Sequence, residues 1–311
     1  MKLIYLIQAH KNPRQLNELI ARIKHRQCEV FVHIDAKSDL DIDAIDSGAR
    51  LIDNRISIQW GDISQVKATL NSIEEIERKV PDYDHLIFIS GQDFPIKTHA
   101  GILASLEKNR DYLRWQEISE TGWDAQYRFS AFRYQGNNPA RKFLFRAFNK
   151  IYAECGIKRR IPYGLKAYGG SSWWILSKAS VTLLLAYLKD HPGLLRFFRH
   201  TICPDEMFFQ TILCNSSRKD FIVNDNLRFI RFLPGHSNPE TLDESYYDAI
   251  VGSGCVFCRK IESPRSDELL RRLLRRHDAS GLKSGATLAM PAHPVAVNLP
   301  RNPRHDLWPG A

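Results

Sequence analysis

Two adjacent carboxylates stand out in Cys203-Pro-Asp-Glu-Met-Phe-Phe-Gln210, where Asp205 and Glu206 precede three apolar side chains. A carboxylate against apolar walls titrates high and can serve as a general base. Two acids at the head of a helix also cap its dipole. The residue types leave both readings open, and one acid can be the base while the other caps.

Other candidates sit where short apolar runs end. Ser90-Gly-Gln-Asp-Phe-Pro-Ile-Lys-Thr98 follows the run Leu86-Ile-Phe-Ile89. Gly91 permits a tight turn, Asp93 offers a carboxylate, and Pro95 fixes the exit of the loop; an ordinary turn with no ligand is the plainer reading. His33 and Asp35 end a second run and share one face at period two. Phe257-Cys-Arg-Lys-Ile-Glu262 brings two cations together. Arg259 can fork onto phosphate oxygens and Lys260 supplies a point charge, but strand neighbours point to opposite faces, so one of them reaches a given ligand. Asp39-Leu-Asp41, Asp41-Ile-Asp43 and Asp82-Tyr-Asp84 match a D-x-D spacing that can hold a divalent metal. The first two lie in a surface segment, and the third precedes a strand rather than ending one. Cys255-Val-Phe-Cys258 lacks the second ligand pair that a structural zinc needs.

These residues require an α/β frame. Strands are expected at 3–7, 30–34, 56–58 and 86–89, with helices from Asn12-Pro13 and from a Ser64 cap to about residue 80. That alternation predicts a mixed, mostly parallel sheet flanked by helices, with ligands beyond the carboxyl ends of its strands. Residues 117–168 read as less regular, aromatic and basic. A strand is expected at 169–176 running into a helix at Ser177, a helix near 204–206, and closing strands at 227–232 and 256–257. A final amphipathic helix at 263–277 sets leucines against Arg271, Arg272, Arg275 and Arg276; it can pack on the domain or lie on an anionic membrane. From Asp278 onward a flexible tail is expected.

The chain has 311 residues, 43% hydrophobic and 25% charged, which excludes a disordered polymer. Its net charge of +9 favours anionic partners. Six scattered cysteines read as reduced core residues rather than a disulfide framework. The N-terminal apolar run is too short for a signal peptide or a membrane span, so a cytoplasmic protein, either soluble or bound peripherally to the inner face of a membrane, is expected. No nucleic-acid-binding signature is evident.

Taken in order, several segments resemble the core-2/I-branching β-1,6-N-acetylglucosaminyltransferase family, which includes the peptide O-xylosyltransferases. They are Tyr5-Leu-Ile-Gln-Ala-His-Lys-Asn12, Val32-His-Ile-Asp-Ala-Lys-Ser38, Trp60-Gly61 and Phe88-Ile-Ser-Gly-Gln-Asp-Phe-Pro-Ile-Lys97. Gly169-Gly-Ser-Ser-Trp-Trp174, Pro204-Asp-Glu206, Asn226-Leu-Arg-Phe229 and Phe257-Cys-Arg-Lys260 follow. The resemblance, to a bacterial-type soluble member, implies a GT-A catalytic domain over 1–262, with a nucleotide-sugar half at 1–115 and an acceptor half at 116–262. It implies an inverting, metal-independent transferase that uses a UDP-sugar, with no cofactor and no metal site, acting on a glycan or lipid-linked acceptor. Glu206 then matches the catalytic base. Arg259 and Lys260 match the diphosphate cations, and His10, His33, Asp35, Ser90, Gly91 and Asp93 fall around the donor. Trp123, Asp124, Trp173 and Trp174 fall on the acceptor side. Where the xylosyltransferases place an Arg-Lys pair, this chain offers Arg228, Arg231 or His236. The competing class is a basic membrane- or nucleic-acid-binding protein that keeps the fold without activity; Glu206 together with Lys260 separates the two, since a binding module needs no base.

Overall fold

The structure, a computed structural model, describes residues 1–281 except 120, 121, 135, 137 and 237. In chain order the elements begin with β1 (Leu3–Ala9), α1 (Pro13–Ile23), β2 (Cys28–Ile34), β3 (Arg50–Leu51), α2 (Ile63–Lys79), β4 (His85–Ser90), β5 (Asp93–Pro95) and α3 (His99–Ala104). Next come β6 (Asp111–Tyr112), β7 (Trp115–Glu117), α4 (Pro139–Glu154), β8 (Tyr168–Gly170), β9 (Trp174–Ser177), α5 (Lys178–Asp190), α6 (Gly193–Phe198) and α7 (Phe208–Cys214). The series closes with β10 (Ile222–Val223), β11 (Arg228–Ile230), α8 (Tyr247–Gly252), β12 (Phe257–Arg259) and α9 (Asp267–Gly281). The chain forms two compact units. One comprises Met1–Gly91 with Leu103–Asn226, the other Gln92–Ile102 with the chain from Leu227. The units thus part at 91, 103 and 226 rather than near 115.

The first unit carries a seven-stranded sheet in the order β10-β6-β9-β4-β1-β2-β3, in which only β9 runs against its neighbours. All seven residues of β1 are buried, as both faces of a helix-covered strand require. Helix α1 starts as its sequence predicts: the Asn12 side chain accepts from the Gln15 N–H, and Leu16, Leu19, Ile20 and Ile23 are buried. Helix α2 is capped two residues early, because Asp62 accepts from the Ser64 N–H while the Ser64 hydroxyl accepts from the Gln59 N–H.

Three expected elements differ. Residues 55–59 form no strand; the N–H groups of Ile56, Ile58 and Gln59 donate to the side chains of His33, Asp35 and Ser64. The segment 169–176 is two strands, β8 pairing with β7 and β9 with β4 and β6, and the Ser171 hydroxyl between them accepts from the Trp173 N–H. Residues 204–206 make a single 3-10 turn, isolated by Cys203 at φ 47° and Met207 at φ −131°, before α7 begins at Phe208. The acids therefore do not head an α-helix. Within 117–168, read as less regular, lies the four-turn helix α4.

The second unit has a three-stranded sheet, β11-β12-β5, against which Leu269, Leu270 and Leu273 of α9 are buried with Phe94 and Ile96. Arg272 lies 3.8 Å from the centre of the Tyr247 ring. Helix α9 is thus a packing helix, its leucines spent on the core. It continues past the expected start of the tail at 278, and residues 282–311 lie outside the described ones. Among the described residues no disulfide forms; Cys214 and Cys258 are buried, but Cys155 is exposed.

One buried carboxylate organises the far edge of the large sheet. Asp111 Oδ1 accepts from the backbone N–H and hydroxyl of Ser177 at 2.7 and 2.8 Å, and Oδ2 accepts from Ser180 at 2.5 Å and Arg218 at 3.2 Å. Asp111→Ala leaves those donors unpaired and is expected to cost about 3–5 kcal/mol in urea unfolding. Asp111→Asn, which keeps Oδ1, is expected to cost less.

Candidate active site

In the first unit the carboxyl ends of β1, β2 and β4 converge, as parallel neighbours must. The Asp35 N–H donates to the Ala9 carbonyl at 2.9 Å and the Gly91 N–H to the Gln8 carbonyl at 2.8 Å. A Cβ at Gly91 would lie 3.3 Å from that of Ala9, so a larger side chain there would press on the strand ends. His10 follows on the exposed side, its carbonyl accepting from the Ser38 hydroxyl at 2.6 Å. His33 is fully buried, and its Nε2 accepts from the Ile56 N–H at 3.0 Å. Burial holds its pKa below the usual histidine value, which suits the neutral ring that this bond requires. Asp35 Oδ1 accepts from the N–H groups of Lys37 and Ile58 at 3.1 and 3.2 Å. His33 and Asp35 therefore hold segment 55–59 in place; their side chains do the pinning that a third strand was expected to do. Ser90 is buried at the end of β4.

The acidic turn lies elsewhere in the same unit. Its backbone is fixed by the Cys203 N–H on the Gly61 carbonyl at 3.0 Å and the Ile202 N–H on the Arg128 carbonyl at 2.9 Å. Arg128 Nη1 then meets Glu206 Oε2 at 2.5 Å, with the Glu206 side chain 35% exposed and that of Arg128 15%. The guanidinium also lies 4.6 Å from the centre of the Trp123 ring. Gly169 makes room for that indole, since a Cβ there would sit 2.5 Å from it. Burial works against the charge on Arg128, but Glu206 more than offsets it and raises the guanidinium's pKa. Asp205 points away to accept from the Ser172 hydroxyl at 2.6 Å. Burial first, and the Glu206 charge second, push its carboxyl up to about 6. The two adjacent acids are thus differentiated: one is partly open and ion-paired, the other is held by a hydroxyl and titrates high.

Of the acceptor-side candidates, Trp123 stacks on Arg128 and Asp124 is exposed. Trp173 is half-buried against Phe88 at 4.9 Å between ring centres. Trp174 is a correction. It is fully buried on β9 between Phe88 and Phe209, so its ring packs the core rather than facing a substrate.

The second unit gathers the cations. Asp93, opposite Arg259 in the β5–β12 register, is buried and faces Arg228 Nε at 3.4 Å and Arg259 Nη1 at 3.5 Å. It acts as the counter-ion that orients two arginines. The Arg228 side chain is buried, which pulls its pKa down to about 10 against the opposing charge of Asp93. Burial likewise lowers that of Arg259. Lys260 Nζ meets Glu262 Oε2 at 2.9 Å, and Gln92 Nε2 donates to the same oxygen at 3.2 Å. Arg231 and His236 lie exposed beyond β11. Of the D-x-D pairs, Asp84 accepts from the Lys2 N–H at the amino end of β4, away from the strand ends, and Asp41 accepts from the Asp43 N–H in a surface turn.

The profile of the family described as "Branch: Core-2/I-Branching enzyme" matches residues 3–250. The chain belongs to the Core-2/I-Branching enzyme family. Its curated relatives include Xylosyltransferase 2 of Canis lupus familiaris, 27% identical over 246 residues, covering 73% of this chain and 26% of that protein. Xylosyltransferase 1 of Homo sapiens is 26% identical over 243 residues, covering 73% of this chain and 24% of that protein. The chain therefore spans about a quarter of the length of the relatives it matches. The α/β sheet and the family read from the sequence are both borne out.

Arg128 and Ser172 were not legible. They meet Glu206 and Asp205 across 78 and 33 residues, and no spacing encodes such a contact. The high carboxyl of Asp205 has a consequence for stability. The folded chain keeps a proton there, up to about pH 6, that an unfolded carboxyl releases near 3.9. That contribution is present at low pH and lost as pH rises through about 6. Asp205→Asn, which removes it, is expected to gain stability relative to wild type between pH 4.5 and 7 in urea unfolding; a pH-independent difference would mean that Asp205 ionises normally.

Proposed function

We propose that this chain is an inverting glycosyltransferase that moves a sugar, GlcNAc or xylose, from a UDP-sugar to a hydroxyl of a glycan or lipid-linked acceptor in surface polysaccharide synthesis. Membership of the Core-2/I-Branching enzyme family supports the reaction class. The observation that carries the assignment is the partly open Glu206 carboxylate, held in one orientation by Arg128.

Glu206, ionised, takes the proton from the acceptor hydroxyl as that oxygen attacks the anomeric carbon from the face opposite UDP. Arg128 fixes the orientation of the carboxylate. The diphosphate leaves with the bonding electrons, and Lys260 with Arg259 neutralises the charge it acquires. Asp93 supports that role by orienting Arg259, and Arg228 adds a further buried positive charge. With fixed cations serving the diphosphate, no divalent metal is needed, and the reaction requires no cofactor. Inversion needs one base and one leaving-group stabiliser, so no covalent intermediate is formed.

Thermal-shift titration with UDP, UDP-GlcNAc, UDP-xylose and UDP-glucose tests the donor, since a ligand of the native state raises apparent stability by mass action. An EDTA-insensitive rise with UDP, largest for one UDP-sugar, is expected; no rise with any of them would return the chain to the binding-protein reading. Glu206→Gln is expected to lower turnover by about 10²–10⁴-fold with UDP affinity nearly intact. Lys260→Ala is expected to weaken UDP more than uridine, because only UDP carries the diphosphate; equal weakening would show that Lys260 does not serve it.

A further inference from the structure

Helix α4 has no fully buried residue along its sixteen positions. It is held to the first unit along one edge. The Phe132 ring contacts Phe145, Phe148 and Tyr152, and Asn149 exchanges hydrogen bonds with the Phe132 N–H and carbonyl at 2.8 and 2.7 Å. The remaining face carries apolar side chains outward. Leu144, Ile151 and Cys155, the last just past the helix end, follow one another at seven- and four-residue intervals on one stripe, with Phe148, 46% exposed and leaning on Phe132, at its inner border. Leu144 is 59% and Ile151 57% exposed, with Phe143, at 74%, beside the stripe. Isolated apolar residues on a surface are ordinary, but a continuous stripe of them marks an interaction face.

Charge identifies what that face meets. Residues 133–160 hold eight cations (Arg133, Arg141, Lys142, Arg146, Lys150, Lys158, Arg159, Arg160) and one acid, Glu154, a net +7 of the chain's +9. On the helix, Arg141 flanks the stripe on one side; on the other lie Lys150, ion-paired with Glu154 at 3.9 Å, and beyond it Arg146. Lys158 and Arg160 lie exposed just past its end, among the residues lining a groove of about 770 Å³. An outward apolar stripe bordered by cations is the pattern of a helix lying in the plane of a bilayer surface, its side chains entering the acyl boundary and its cations at the headgroups. A soluble polyanion would satisfy the cations and leave the stripe in water. The closing helix α9, although richer in arginine, has buried its leucines and lacks such a stripe.

We propose that α4 is a docking helix for an anionic lipid surface, with Leu144, Ile151 and the neighbouring Phe143 entering the bilayer and Arg141, Arg146 and Lys150 engaging its headgroups. The inference is independent of the transferase reading, since it concerns where the first unit rests and not what reaction the chain performs.

Co-sedimentation of the full chain with vesicles of phosphatidylcholine alone, and with about 30% phosphatidylglycerol, tests it. Strong binding to the anionic vesicles only is expected, weakening as salt is raised. Leu144→Ser with Ile151→Ser, both exposed and outside the Phe132 contacts, is expected to reduce binding about tenfold or more with far-UV circular dichroism and Tm unchanged. Arg146→Glu with Lys150→Glu is expected to do the same, and Arg271→Glu with Arg275→Glu to leave binding intact. Failure of the wild-type chain to bind anionic vesicles overturns the proposal. So does loss of binding only in the α9 variant, or in the charge variant without the serine variant, which would indicate a purely electrostatic surface. A dimer in sedimentation velocity that the serine variant abolishes would assign the stripe to a second copy and overturn it as well.

Discussion

Arg128 against Glu206 is the contact on which the candidate chemistry depends. Two neighbouring carboxylates on one short turn repel each other, and in a partly buried setting neither would be usefully placed. The guanidinium takes one of them, the Ser172 hydroxyl takes the other, and the turn is held from both sides by the Gly61 and Arg128 carbonyls. The surrounding features follow from that arrangement. Gly169 exists as a glycine so that Trp123 can cover Arg128, and the interruption between β8 and β9 places Ser172 at the acid it serves.

A buried carboxylate facing several donors occurs at two further places. Asp111 joins two strands, a helix start and Arg218, while Asp93 orders Arg228 and Arg259 on the small sheet. In each case the charge is tolerated inside because its partners satisfy it, and in each case removal of one member strands the others. Asp93 fixes the direction of Arg228 and Arg259, the cations proposed above to serve the diphosphate.

Charge and apolar exposure are distributed with similar economy. Most of the net positive charge lies around α4, whose outward stripe the first unit does not cover, whereas the arginines of α9 accompany leucines that the second unit has buried. Two helices of comparable composition have therefore taken opposite parts, one facing the core and one facing out. Apolar and basic residues at helical spacing do not say which helix has a partner within the chain.

By itself the sequence determined the α/β class, the positions of β1, β2 and β4, the start of α1, and the candidacy of Glu206, Arg259 and Lys260. These are matters of period, local capping and residue type, and they are encoded within a few positions of the chain. Tertiary structure alone decided which of Asp205 and Glu206 stays open, that Trp174 fills the core, that His33 and Asp35 pin a loop where a strand was expected, and that Asp93 is a counter-ion. The helix expected at the acidic turn failed for the same reason. Proline and acidic residues suit a first turn, but the left-handed Cys203, bonded to Gly61, and the break at Met207 come from contacts made far along the chain. Ion pairs and burial between residues a hundred positions apart leave no mark in local spacing, so the sequence supplies the reactive groups and only the folded chain assigns each its neighbour.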